Sequence, residues 1–206
     1  MTVAEGRIEA HATPRYLPTR RSAAKHRKIV AAAISLVAEQ GYHATTVEAV
    51  AARAEAGKQT IYRWWPSKAA LFVEVYGALV PAAELRHDTG SVATDLRELL
   101  RALFALYGAS PAALILAGLI AEAQHDPVVR DAVRGGLVLG RRDLLSEPLQ
   151  RGVDRGELPG NFDVAWASEV IVGLIWHRLL TGGEGLTDRF ADRLVGHILR
   201  NGRSPR

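Results

Sequence analysis

Within KQTIYRWWPSK, residues Lys58 to Lys68, amide, hydroxyl, ammonium and guanidinium groups stand beside two adjacent tryptophans. A glutamine can pair bidentately with adenine and a lysine can donate to guanine O6 or N7. Each good bidentate contact is worth about 1–3 kcal/mol of discrimination. On that chemistry Lys58, Gln59 and Thr60 are candidate base readers. Thr60 and Tyr62 offer hydroxyls to phosphate, and Lys68 adds positive charge at a helix start whose dipole already favours an anion. Arg63 suits phosphate or solvent better than a base edge, Trp64 suits DNA or core equally, and Ile61 and Trp65 are expected in the core.

The charge distribution favours the same ligand. Net charge is +4, yet residues 1–68 hold 11 Lys and Arg against 5 acidic residues, so the excess is wholly N-terminal. It is sharpest where Arg15, Arg20, Arg21, Lys25, Arg27 and Lys28 face no carboxylate. A one-ended basic field fits a polyanion, and Arg21 and Lys25 become candidate phosphate contacts. Residues 1–20 read as a basic, disordered arm. Catalysis finds little support. There are no cysteines, and the seven histidines, at 11, 26, 43, 87, 125, 177 and 197, show no paired metal-ligand spacing. No nucleophile elbow or phosphate-cradling loop occurs, so no metal site, cofactor or enzymatic activity is expected. The apolar runs fall short of the roughly 20 residues a membrane span needs, and the first residues lack the apolar core of a signal peptide. A cytoplasmic protein without membrane contact is the expectation.

Positioning these side chains requires short helices. Apolar residues recur at three and four throughout and no strict alternation appears, so the fold is expected to be all-α, with about nine helices. A first helix from about Ser22 to Gln40 is stopped by Gly41. Thr45-Thr46-Val47-Glu48 resembles a capping box opening a second helix through Arg53, and either threonine at its start can also meet a phosphate. The third runs from about Lys58 to Trp64 and ends before Pro66. Ser67 caps a fourth, which Pro81 stops. Further helices are expected from about Ser91 to Tyr107, from Ser110-Pro111 to about His125, and from Asp126-Pro127 onward. Between Pro127 and Arg155, glycines and Pro148 predict a kinked or broken element, and two helices, about Asp163 to Leu180 and Thr187 to Arg200, close the chain. The pair of short helices reads as a helix-turn-helix within 21–68, followed by a larger helical domain over 69–206.

From Lys25 to Phe72 the chain resembles the DNA-binding domain of tetracycline-repressor-type (TetR family) transcriptional regulators. The resemblance rests on Glu39-Gln40-Gly41-Tyr42, Thr45-Thr46-Val47, Val50-Ala51, Lys58-Gln59-Thr60-Ile61-Tyr62, Trp65-Pro66-Ser67-Lys68 and Leu71-Phe72. Leu119 to Gln124 with Asp126-Pro127, Arg155-Gly156-Glu157-Leu158 and Phe190 to Val195 are similar to the C-terminal domain of one branch of that family. The turn departs from the family pattern. It reads Glu55-Ala56-Gly57, with glutamate where the family places glycine and glycine where it places a small polar cap. Either the turn is rebuilt around Gly57, or Glu55 takes the left-handed conformation.

A ligand pocket needs an apolar lining with a few fixed polar groups. In the larger domain Leu103, Tyr107, Leu119, Glu122, Trp166, Trp176 and His177 are the candidates, with Gln124 and His125 nearby, and Glu122 the foremost. Each also fits a satisfied core position. The last two helices carry apolar residues on more than one side, so Val170, Leu174, Phe190 and Leu194 are candidate contacts with a second copy. The resemblance implies a homodimeric repressor of operator DNA, released by a small apolar or amphipathic effector. Two alternatives stand beside it: a DNA binder without an effector, and a helical small-molecule binder or enzyme with a degenerate DNA head.

Overall fold

Local signals set the boundaries of the helices that carry the site. In the computed structural model, which describes residues 20–182 and 185–201, α1 spans Arg20–Ala44. It is interrupted at Gly41, whose φ of 81° lies in a region L side chains rarely adopt. The α2 helix (Val47–Arg53) opens on Thr46, whose hydroxyl accepts from the Ala49 amide at 3.1 Å. The α3 helix is Lys58–Trp64, ending at an extended Trp65 before Pro66. The α4 helix (Lys68–Leu79) is capped by Ser67, which accepts from the Ala70 amide.

Between α2 and α3 the two possibilities for the turn are now distinguished. Glu55 has φ 51° and is the sole non-glycine residue with positive φ among the described residues, while Gly57 caps α3 with an ordinary φ of −69°. The left-handed position is therefore kept with a side chain on it. The Glu55 carboxylate lies 3.5 Å from the Lys28 ammonium, an exposed pair of little energetic consequence.

A 3-10 turn (Ala82–Leu85) leads to α5 (Val92–Ala109), and α6 (Ala112–Ala123) follows after a bend of 88°. Pro111, not Ser110, occupies the cap of α6; the Ser110 hydroxyl donates to the Leu106 carbonyl and accepts from the Ala112 amide. The α7 helix (Pro127–Val133) starts on Asp126, whose carboxylate accepts from Val128 and Val129. The expected break is a π-helical turn, Arg134–Leu139, before α8 (Asp143–Asp154). Pro148 is not part of the break: it sits within α8, buried. The α9 helix (Val164–Thr181) and α10 (Asp188–Asn201) complete the chain.

The apolar core has two parts. The first joins the helix-turn-helix to α4, α6 and α7 through Ile29, Val50, Ile61, Phe72, Ile115 and Leu119. The second lies among α5, α8, α9 and α10, around Leu96, Leu100, Leu149, Ile171 and Val195. Polar ties close it: Glu157 accepts from the Val92 amide at the start of α5, and buried Asp95 accepts from the Thr89 amide and hydroxyl, both at 2.7 Å. The Arg155-Gly156-Glu157-Leu158 stretch thus ends α8 and anchors α5.

The head meets the body most closely at Tyr42. Gly118 of α6 lies under its ring so tightly that a Cβ there would stand 2.2 Å from Tyr42 Cδ1. Gly118→Ala should therefore destabilise by about 1–3 kcal/mol through overpacking, read as a lower midpoint in urea. Glu55→Gly should raise stability by up to about 1 kcal/mol, because relief of the left-handed strain exceeds the added chain entropy. An unchanged midpoint would contradict the strain assigned to Glu55.

Candidate nucleic-acid interface

The α3 helix is held from one side. Ile61 and Trp65 are buried at 1% and 3% exposure, while Gln59, Tyr62 and Arg63 face outward. Trp65 Nε1 donates to Glu74 Oε2 on α4 at 2.6 Å, and His26 Nε2 on α1 lies 2.7 Å from Glu74 Oε1. One carboxylate therefore ties the end of α3 to α1 and α4. Trp64 is half-buried, packed edge-on against Trp65 and near His26, so it serves the package while keeping one side open. Neither His26 nor Glu74 was singled out from sequence; an isolated histidine and glutamate on two helices carry no pattern that links them.

On the outward side Gln59 makes no side-chain hydrogen bond among the described residues, and its amide is available to a base edge. The Lys58 ammonium is paired with Glu48 of α2 and lies 5.7 Å from the Tyr62 ring, and the hydrogen bond to Glu48 raises its pKa. A contact from Lys58 to DNA must exchange that carboxylate for a phosphate or guanine. Thr60 is half-buried, Tyr62 is 42% exposed, and the Arg63 guanidinium lies 5.9 Å from the Trp64 ring. Thr46 is exposed, and while its oxygen caps α2 its proton stays available to a phosphate. Lys25 is half-buried on α1, and the Arg21 side chain lies outside the described residues, as does nearly all of the basic arm.

Two expected phosphate contacts point inward instead. Thr45 has no exposed surface: its hydroxyl donates to the Gly41 carbonyl at 2.8 Å, satisfying a carbonyl freed by the helix break. Lys68 Nζ donates to the Tyr42 carbonyl at 2.9 Å and sits 4.2 Å from the Tyr42 ring centroid. Burial lowers its pKa, opposed by the charge of Glu122. Sequence placed both residues at helix starts, but the chain bend at Gly41 brings the Gly41 and Tyr42 carbonyls within their reach.

Behind this head the pocket candidates do not converge. Leu119 has no exposure and belongs to the first core. Glu122 accepts a hydrogen bond from the Tyr42 hydroxyl at 2.6 Å, joining α6 to the head. Trp166 is 60% exposed and His177 also faces outward on α9, away from any interior. Leu103, Tyr107 and Trp176 are half-buried where the two cores meet, and the Tyr107 hydroxyl shares a 2.6 Å hydrogen bond with Tyr76 of α4. Two concavities lie elsewhere: about 10 Å³ beside His87, Asp95 and Arg151, and an open groove of about 300 Å³ between α1 and α2 along Lys28, Ala32, Arg53 and Glu55.

The interface candidates divide as well. Leu174 is exposed on α9, as are Trp166 and Leu180, whereas Val170 is partly buried and packs against the second core beside Ala167, Ile171 and Ile175. Leu194 is 3% exposed and is core, and Phe190 stacks on Phe104 with the Arg178 guanidinium 3.7 Å from its ring. Leu194 therefore faces inward, and Phe190 lies half-buried at the edge of the second core. The α9 helix, 18 residues long, is apolar enough by composition to cross a membrane, but its inner face packs into the second core.

Three tyrosines, Tyr42 and Tyr76 buried and Tyr107 half-buried, give the molecule a pH signature. Desolvation raises the pKa of Tyr42, helped by its hydrogen bond to the Glu122 carboxylate; burial likewise raises Tyr76 and Tyr107. Each folded-state pKa lies above the unfolded value of about 10. Their contribution is therefore fully present below that value and is lost as pH rises past it. The urea midpoint should fall between pH 9 and 11, and Tyr107→Phe should shrink that fall. A midpoint flat over this range would contradict the burial of these hydroxyls.

Comparison with known proteins agrees with this geometry. The family profile described as "Bacterial regulatory proteins, tetR family" matches residues 29–75, and "Tetracyclin repressor-like, C-terminal domain" matches residues 86–198. The chain is 32% identical over 174 residues to the uncharacterized HTH-type transcriptional regulator YdeS of Bacillus subtilis, covering 82% of this chain and 85% of that protein. It is 34% identical over 176 residues to the DNA-binding transcriptional repressor TetR of Mycobacteroides abscessus, covering 83% and 90%. The crystal structure of the TetR family transcription regulator SCO0332 superposes with a TM-score of 0.74 at 32% identity, covering 88% of this chain and 99% of that one. With a helix-turn-helix at its head, matched family domains along most of its length and relatives that match it nearly end to end, the chain belongs to the TetR family of transcriptional regulators.

Proposed function

We propose that this regulator is a cytoplasmic homodimeric repressor whose head, residues 21–68, binds operator DNA and whose body, residues 69–206, binds a small effector that releases it. The observation that carries the reading is the two-sidedness of α3: Ile61 and Trp65 fix it to α1 and α4, and Gln59, Tyr62 and Arg63 project from the free side. A short helix anchored along one side and polar along the other is suited to the major groove, with Gln59 reading adenine and Tyr62, Thr46 and Arg63 holding phosphate.

Dimerisation is supported by α9. Its inner face buries Ala167, Ile171 and Ile175, while Trp166, Leu174 and Leu180 stay exposed, apolar surface that a monomer leaves in water. A second copy packed there by twofold symmetry sets two heads on successive major grooves, about 34 Å or a multiple apart. In this reading an effector acts by shifting α4, which joins the head at Lys68 and the body at Tyr76. Effector and operator then weaken each other's binding reciprocally. A second reading, DNA binding without an effector, is favoured by one observation: the pocket candidates do not converge, since Leu119 is core while Trp166 and His177 face outward.

Selection of bound fragments from genomic DNA should yield a palindromic site. On that site Gln59→Ala should cost about 1–3 kcal/mol with relaxed specificity, and Tyr62→Phe should weaken binding to all sequences alike. Affinity should fall steeply between 50 and 200 mM salt. Retention of full affinity by Gln59→Ala would remove α3 as the reader, and a library of small molecules that leaves operator affinity unchanged would favour the second reading. Leu174→Arg should convert the dimer to monomer in sedimentation equilibrium; an unchanged mass would place the interface elsewhere.

A further inference from the structure

Three cations of the head are matched by carboxylates among the described residues: Lys28 by Glu55, Arg53 by Glu39 and Lys58 by Glu48. The first pair joins α1 to the turn, and the second joins α2 back to α1. The third joins the first turn of α2, which holds Glu48, to Lys58 at the opening of α3. Its two side chains are 58% and 53% exposed, so the pair is a surface feature with no part in the core. Thr46 lies two residues before Glu48, Gln59 follows Lys58, and the Tyr62 ring stands 5.7 Å from the Lys58 ammonium. The pair therefore sits among the groups assigned above to bases and phosphates.

The hydrogen bond from Lys58 holds the Glu48 carboxyl below its ordinary pKa, and its own backbone amide adds to the effect. Glu48 thus meets DNA as an anion. If Lys58 leaves it for a phosphate, the carboxylate is stranded beside a negatively charged backbone that repels it. Exchange for a base edge is different, because a base pair carries donors as well as acceptors. In the major groove a G·C pair shows two acceptors, guanine N7 and O6, followed by the cytosine N4 donor. A lysine beside a glutamate matches that order, with ammonium protons for the two acceptors and a carboxylate for the donor. An A·T pair runs acceptor, donor, acceptor, which sets thymine O4 against any carboxylate that takes adenine N6.

We propose that Glu48 is a specificity residue that reads one G·C pair in each half-site jointly with Lys58, guanine accepting from the ammonium and cytosine N4 donating to the carboxylate. This rests on the DNA-binding reading above and adds one base pair to it. The bond between the two side chains is exchanged for bonds across a single base pair, so neither charge is left without a partner. Non-specific DNA offers phosphate alone, and there Glu48 opposes binding.

The joint reading is tested by the affinity of the full chain for the selected site and for every single base-pair substitution of it, in the wild type, Glu48→Ala and Lys58→Met. The wild type should show one position per half-site at which G·C is preferred at least about fivefold, the lower end for a bidentate contact. Both variants should flatten the preference at that same position. On a random-sequence duplex their effects should have opposite signs, tighter for Glu48→Ala and weaker for Lys58→Met, because only charge acts there. Replacing the guanine at the shared position by 7-deazaguanine, which lacks the N7 acceptor, should weaken the wild type more than Lys58→Met. The proposal is overturned if Glu48→Ala tightens binding to all sequences by one factor, which makes Glu48 a counter-charge only. It is equally overturned if the two variants flatten different positions, or if the shared position prefers A·T. Failure of the DNA-binding reading is distinct: the wild type then binds selected and random duplexes alike, and the joint reading falls with it.

Discussion

The junction at Tyr42 is the constraint on which the rest of the molecule depends. Gly41 breaks α1, and the next residue turns its ring onto Gly118 of α6, its hydroxyl to Glu122 and its carbonyl to Lys68. Three helices thereby meet on one side chain. A bulkier residue at 118 would displace the ring, and displacement of the ring would free both the Glu122 carboxylate and the Lys68 ammonium. The head is thus continuous with α6 in packing as well as in hydrogen bonding. That continuity explains why the first core runs from the helix-turn-helix into α6 and α7 and does not stop at the end of α3.

Most of the DNA-facing architecture was legible because it is written in local chemistry. Thr46 and Ser67 cap helices by accepting amides a few residues on, and Pro66 ends α3 whatever lies around it. What the sequence left hidden depends on partners distant along the chain. Lys68 reads as a phosphate ligand at a helix start until the Tyr42 carbonyl, 26 residues earlier, is brought within 2.9 Å. Leu194 and Leu174 are both apolar positions on closing helices. Only packing distinguishes Leu194, which α10 turns into the core, from Leu174, which α9 leaves outside. Periodicity supplies the faces of a helix, but their assignment to core or partner depends on which helices arrive beside them. Trp166 and His177 were drawn to a pocket for the same reason, as aromatic or polar residues among apolar ones.

The two-part core has a mechanical consequence. The bend between α5 and α6 leaves α5 with the second core and α6 with the first, so the connection at Ser110-Pro111 crosses between bodies. The α4 helix belongs to the first core along its length, yet Tyr76 reaches α5 and Val80 is tied to Arg141. Any separation of the cores must therefore pull on the C-terminal half of α4. The head is fixed to the start of α4 by Lys68 and to its middle by Glu74, which holds Trp65 and His26. A helix gripped at both ends by different bodies is stiff enough to convert a change at one end into a reorientation at the other.

The Glu55 turn shows what that stiffness does and does not require. A glutamate in the left-handed region costs free energy where a glycine would not, yet α3 still begins at Lys58 and keeps Ile61 and Trp65 inward. The anchors that fix α3 therefore lie at its C-terminal end, in the Trp65–Glu74–His26 contact and in the core around Ile61, and not in the turn before it. A helix held at that end presents its N-terminal residues as the free ones. Gln59 then owes its position to a tryptophan six residues later more than to the turn two residues earlier, and strain in the turn is tolerated because the reading surface does not rest on it.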